Sequence, residues 1–188
     1  MPVVGWHASF KSGAVPGLFT NVTTDPKEAA QIAALFGATE ASNKAGIVVF
    51  TDTSTPFLAT KSGAIVEALR QCEACRILST EDLPLAESRK KFPATIDGLV
   101  KRHGTKWTHV VAVNDVYLDM MDKPEIEKVI AGNNLRGISA GDGSPTAFKR
   151  IRKGDLQIGS VPEPLFLHGW QLVDELNRAM SKVAPSGY

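Results

Sequence analysis

Two stretches decide the fold: THVVAVND, residues 108–115, and LRGISAGDGSP, residues 135–145. Each is an apolar run that stops at an acid. Thr108 to Val113 runs into Asn114-Asp115, and Leu135 to Ala140 runs into Gly141-Asp142-Gly143-Ser144-Pro145. Short runs rich in valine and isoleucine read as strands, and continuous hydrophobicity instead of alternation marks strands covered on both faces. Four further runs share the pattern: Val3 to Trp6, Ile47 to Thr51, Arg76 to Ser79 and Leu156 to Val161. Longer segments of helical period separate them, which is the pattern of βα units. The expected fold class is therefore α/β, a three-layer sandwich around a mostly parallel six-stranded sheet. Ligands of such sheets bind in the crevice outside the carboxyl ends of the strands, so two polar exits point to a small polar ligand.

Helix starts are legible from their caps. Asp25-Pro26-Lys27-Glu28 combines an N-cap acid, proline at the first helical position and a capping-box glutamate ahead of Ala29 to Ala41. Thr55-Pro56 precedes Phe57 to Gln71, and Ser144-Pro145 precedes Thr146 to Arg152, with Gly154 as its stop. Pro164 opens a last helix, Leu165 to Lys182. Between Glu81 and Gly104 the prolines 84 and 93 predict a loop followed by a helix from about Pro93 to His103. Ser9 to Thr20 is rich in Gly, Pro and Lys without periodicity, and reads as a surface loop.

A chain of 188 residues, 43% hydrophobic and 22% charged, predicts one domain over residues 1–188 with one sizeable core. Its 21 basic and 20 acidic side chains leave a net charge of +1, which carries no electrostatic footprint for nucleic acid and no polybasic membrane patch. The longest apolar runs are too short to span a bilayer, and Met1-Pro2-Val3 starts no signal peptide. The cysteines are Cys72 and Cys75, a C-x-x-C that closes a helix, whereas thioredoxin-type motifs open one. A local disulfide, a redox dithiol and two free thiols remain open, the redox dithiol least favoured.

The strand exits supply the candidate ligand residues. Asn114 presents both an acceptor and donors, a set suited to sugar or polyol hydroxyls, while one of Asn114 and Asp115 is expected to cap the next helix. Asp142 sits between two glycines, and because Ser144 supplies the next cap, Asp142 is left to face ligand. Asp52-Thr53-Ser54-Thr55 brings hydroxyls, Thr55 among them, to a helix N-terminus but lacks the glycines of a phosphate loop. Lys61 lies one and a half turns into that helix and can reach back over the rim. His7 ends the first strand at a rim position, beside Trp6, which suits either the core or a sugar face. Glu163 follows the last strand. His103, His109 and His168 show no metal spacing, and no nucleophile motif appears, so no catalytic residue, cofactor or metal is expected.

In order and spacing these features resemble the second, C-terminal lobe of the type I periplasmic sugar-binding proteins, the solute receptors of ABC importers akin to ribose and galactose receptors. Pro2-Val3-Val4 resembles the strand entering that lobe, and Asn21 to Ala41 its first helix. Val113-Asn114-Asp115 resembles the family's strand-end asparagine-aspartate, Gly141-Asp142-Gly143 its aspartate-glycine turn, and Val161 to Pro164 with Gly169-Trp170 the passage into the final helix. The resemblance implies a non-catalytic receptor in the periplasm, with its leader outside this chain, that hands a sugar or polyol to a membrane permease. It further implies a missing N-terminal lobe, ligand contacts from Asn114, Asp142 and Lys61, and further rim positions at His7, Thr55 and Glu163. Lys61 stands where those receptors carry an arginine, so a point charge replaces a bidentate fork. His7-Ala8 stands where they carry Asp-Arg. Both departures argue against a simple pentose or hexose.

The effector core of lactose-repressor-type regulators shares this lobe and is the alternative. A flavodoxin-like enzyme or phosphoacceptor module is a third reading, disfavoured because Gly5 to Ala8 contains no acids. Isolated lobes also leave apolar surfaces through which two copies can pair.

Overall fold

A computed structural model describes residues 1–40, 45–73 and 75–187. Contacts divide the chain into two compact units: a central unit, Lys27–Pro162, and a terminal unit formed by Met1–Pro26 with Glu163–Tyr188.

The central unit is built on five of the short apolar runs. Strands β4 (Ala45–Thr51), β5 (Cys75–Asp82), β6 (His109–Ala112), β7 (Arg136–Ser139) and β8 (Gln157–Ser160) form one sheet in the order β5-β4-β6-β7-β8. All four pairings are parallel. Ile47 to Phe50 and Val110 to Val113 are fully buried, which is why these segments do not alternate.

Helices cover both faces. On the face carrying Ile47, Val49, Val111 and Ile138 lie α1 (Pro26–Glu40), whose Gly37 approaches Val111 and Ile138, and α2 (Pro56–Arg70), whose Ser62 is hydrogen-bonded to Thr51. Against Val48, Phe50, Val110 and Gly137 lie α3 (Leu85–His103) and α4 (Asp115–Met121). Tyr117 stacks on Phe50, Phe92 packs tilted against it, and Leu118 meets Gly137. Short helices α5 (Pro124–Ile130) and α6 (Pro145–Lys153) complete this layer beside α3 and α4. The result is the expected three-layer α/β sandwich. The chain leaves β4 toward β5 through a helix on one face and returns to β6 through a helix on the other, as right-handed crossovers in opposite directions require.

The terminal unit holds a second, three-stranded sheet. Strands β1 (Val4–Trp6), β2 (Gly13–Val15) and β3 (Leu18–Val22) run in the order β1-β3-β2, with helix α7 (Leu165–Met180) against β1 and β3. Here the structure corrects two expectations. The main sheet has five strands instead of six, because Val4–Trp6 pairs with Thr20–Val22. The Ser9 to Thr20 segment is partly extended, because Asn21 clamps it. Fully buried, Asn21 accepts from Ala8 N–H and donates to the carbonyls of Ser9 and Lys11, which turns the loop back as a strand. Phe166, Trp170, Val173 and Met180 of α7 are exposed.

A third correction concerns Pro93, which lies inside α3 instead of starting it. Proline removes one helical hydrogen bond, but Phe92, Ile96 and Leu99 are buried on one side of the helix, and that burial outweighs the loss. Other helix limits agree with their caps: Thr55 accepts from Leu58 N–H, Ser144 from Ala147 N–H, and Gly154 ends α6 in the left-handed region. Ala41, expected to end α1, lies outside the described residues. Cys72 and Cys75 form a disulfide between α2 and β5.

Gly46 marks where the sheet has no room. A Cβ there would sit 1.8 Å from the backbone oxygen of Lys106, an atom that cannot rotate away. Gly46→Ala is expected to destabilise the protein by about 2 kcal/mol or more in a urea titration, with the slope unchanged.

Candidate ligand-binding site

Parallel strands end at one edge, and the direction of the chain reverses between β4 and β6. At such a switch point the loops leaving neighbouring strands diverge, which is where open parallel sheets bind their ligands. The segments that emerge around it are Asp52–Thr55 after β4, Val113–Asp115 after β6 and Ala140–Ser144 after β7.

Asn114 does two jobs at once. Its Oδ1 accepts from Val116 N–H at 2.8 Å and caps α4. This orients the amide so that Nδ2 donates to both oxygens of Asp142, at 3.0 and 2.8 Å. Both residues are half-buried. The expectation that one of Asn114 and Asp115 caps the helix is met by Asn114, whose amide group is at the same time bonded to Asp142.

Asp115 lies beneath them. It is 1% exposed, and its carboxylate accepts from five donors: Ser139 Oγ, Gln157 Nε2 at 2.8 Å, Ser160 Oγ at 3.2 Å, Gly143 N–H at 2.8 Å and Ser144 N–H at 3.2 Å. Gln157 Oε1 in turn accepts from Arg150 Nε and Nη2, and Arg150 Nη1 is ion-paired to Asp119 at 2.6 Å. The Asp142 loop is thus held from below by two backbone amides. Gly143 permits this course, with φ of 67° and a position where a Cβ would meet Pro162 at 2.4 Å. Sequence reasoning weighed Asp115 as a ligand residue or a cap and missed this role. Its only signal was that serines at 139 and 160 and a glutamine at 157 stand in runs otherwise apolar.

Lys61 is 2% exposed, and its Nζ donates to the Ala140 carbonyl at 2.8 Å while lying 5.1 Å from the Phe57 ring centre. It therefore reaches the rim, two residues before Asp142. Thr55 is exposed at the start of α2, with its hydroxyl in the cap. Beside it Asp52 accepts from Ser54 N–H at 2.8 Å and from Leu85 N–H at 2.9 Å, tying the loop to α3. Burial pushes the Asp52 carboxyl up, but the Leu85 and Ser54 hydrogen bonds prevail and hold it below the usual carboxylate range. Tyr117 Oη, within reach of the Thr51 and Leu83 carbonyls, closes the floor, and burial pushes its phenol well up.

His7 and Glu163 belong to the terminal unit. Their side chains meet at 2.9 Å, and His7 Nδ1 lies 2.7 Å from Thr23 Oγ1. Trp6 is half exposed at 52%, with its Nε1 3.4 Å from His168 Nδ1. Burial first, and then the neighbouring His7, lower the His168 pKa. His109 is bonded to Glu40 at 3.0 Å and serves structure.

Comparison with solved structures agrees with this architecture. A glucose-galactose binding protein from Geobacillus stearothermophilus superimposes with a TM-score of 0.77 at 17% identity, over 100% of this chain and 64% of that one. The fold is that of a type I periplasmic sugar-binding protein. A solute-binding protein of an ABC transporter from Agrobacterium vitis, with bound allitol, gives a TM-score of 0.75 at 13% identity over 96% and 61% of the two chains. The periplasmic component of the arabinose ABC transporter from Shewanella sp. ANA-3, bound to L-arabinofuranose, gives 0.75 at 17% identity over 96% and 59%. This chain spans about three fifths of the length of these type I structures. No protein-family model and no curated protein matches the sequence.

Two outcomes test this geometry. Asp115→Ala removes an acceptor shared by five donors, buried and half-buried, and a loss of about 3 kcal/mol is expected on urea unfolding. Asp52 is stabilising above its unfolded pKa, about 3.9, and that contribution disappears as pH falls through this value toward the lower folded one. Asp52→Asn should therefore be less stable at neutral pH and lose less stability between about pH 5 and 3 than the parent does.

Proposed function

We propose that this chain is the second lobe of a non-catalytic receptor that binds a sugar or polyol for an ABC permease, in the periplasm, with the first lobe lying outside this sequence. The observation that carries the reading is the Asn114–Asp142 pair at the switch-point rim. The carboxylate has about four lone-pair sites, so it can accept solute hydroxyls as well as the Asn114 amide, and such charge-assisted bonds are the strong ones. Lys61 brings a donor to the same rim, and Thr55 a hydroxyl. The solute is assigned to the central unit alone, and His7 and Glu163 to a separate polar group.

Three further observations support the reading. The solved structures described above are solute receptors whose ligands are sugars and a polyol. The Cys72–Cys75 disulfide suits an oxidising compartment. Exposed Phe166, Trp170, Val173 and Met180 on α7 suit a unit that is completed by a further part of the same fold.

A single rim encloses little of a solute, whereas small-ligand sites bury most of the ligand surface. The isolated chain should therefore bind weakly, and a longer parent carrying both lobes tightly. In a thermal-shift and calorimetric screen of pentoses, hexoses and alditols on both forms, the parent is expected to be stabilised by one class of compound. Asp142→Ala should weaken that binding about tenfold or more. A compound whose effect survives Asp142→Ala, or submicromolar binding to the isolated chain, would contradict the reading.

A further inference from the structure

The terminal unit carries a side-chain cluster that the solute reading leaves unused. His7 ends β1, Glu163 stands just ahead of α7, and His168 lies in its first turn. Each of the three offers one ligand atom, and these atoms all lie within 4.8 Å of one another. His7 Nε2 and Glu163 Oε2 are already 2.9 Å apart. Around a tetrahedral metal with bonds of about 2.0–2.2 Å, neighbouring donor atoms are separated by roughly 3.3–3.6 Å, so modest side-chain rotations close the set.

The surroundings suit a cation better than a plain ion pair. Glu163 is 8% and His168 4% exposed, and a lone carboxylate–imidazole pair needs no second buried imidazole beside it. The contact between His7 Nδ1 and Thr23 Oγ1 orients the ring with Nε2 toward the cluster, which is the supporting bond that metal-binding histidines typically make. Trp6 Nε1 donates to His168 Nδ1 at 3.4 Å, a long and therefore weak hydrogen bond, so the His168 ring can turn at small cost. His7 also adopts φ of 51°, a left-handed conformation that costs a non-glycine residue free energy and is concentrated at functional sites.

We propose that His7, Glu163 and His168 form a binding site for a divalent transition metal, Zn2+ or a cation of similar preference, with two imidazole nitrogens and one carboxylate oxygen as ligands and water in the fourth position. Two imidazoles disfavour Ca2+ and Mg2+, which take oxygen. The metal would fasten the end of β1 to the start of α7, two passages of the chain far apart in sequence, and so stabilise the terminal unit. This site is independent of the solute reading.

The test uses the full chain, freed of metal with a chelator and titrated with Zn2+ against a chromophoric competitor, and with Co2+ followed by its ligand-field absorption. One equivalent is expected to bind, with a rise in melting temperature and a tetrahedral Co2+ spectrum. His7→Ala and His168→Ala should each weaken binding about tenfold or more. Asp142→Ala, which removes the proposed solute contact, should bind metal as the parent does. His168→Gln, whose side chain keeps volume and polarity, guards against a folding defect in the alanine variant and should show the same loss. Absence of saturable Zn2+ binding to the parent would overturn the site, as would Zn2+ affinity unchanged in both histidine variants.

Discussion

The buried Asp115 carboxylate is the constraint on which the central unit depends. A carboxyl group at 1% exposure is tolerated only when its polar atoms are satisfied, and donors from β7, β8 and the loop after β7 satisfy them. Because two of those donors are the backbone amides of Gly143 and Ser144, the course of the Asp142 loop follows from satisfying Asp115. The Gln157–Arg150–Asp119 chain extends the network to α6 and back to α4. A polar network with every member satisfied specifies one arrangement, since any shift leaves a buried group without its partner.

Above this floor the rim is preorganised in the same way. The Asn114 side chain is oriented by the helix it caps, Asp52 ties the β4 exit to the start of α3, and Lys61 crosses from α2 to the end of β7. Asp52 and Lys61 are thus each held by a backbone group of a different element, and Asn114 by the first turn of the helix it caps. Such cross-ties hold these polar side chains in place, and for a solute bound there as proposed they would lower the entropic cost of binding. The terminal unit uses the same device in Asn21, whose amide makes three backbone contacts and replaces the ladder that a longer strand would supply.

Much of this was legible because the signals were local. Apolar runs without alternation identified β4, β6 and β7 as doubly covered strands, and proline after a threonine or serine placed the starts of α2 and α6. The aspartate at 142 read as an outward residue because Ser144 already provided the cap, and the structure shows Ser144 in that role. What failed also failed for local reasons. Pro93 was read as a helix start because its lost hydrogen bond is visible in sequence, whereas the compensating burial of Phe92, Ile96 and Leu99 is not. The Gly/Pro/Lys-rich stretch after β1 lacked periodicity, and its folding back depends on one buried amide.

By itself the sequence determined the α/β class, the order along the chain of the five strands of the main sheet, and which strand ends carry acids, because apolar period, capping and turn chemistry act between residues a few positions apart. Only the tertiary structure decided that β1 joins a separate sheet, that Asn114 rather than Asp115 turns toward Asp142, and that Asp115 is the buried anchor. It alone also brought His7, Glu163 and His168 together, more than 150 positions apart at the extremes. These outcomes depend on pairing and desolvation between distant segments, where free energy is set by which partner satisfies a buried polar group and not by the group's neighbours in the chain.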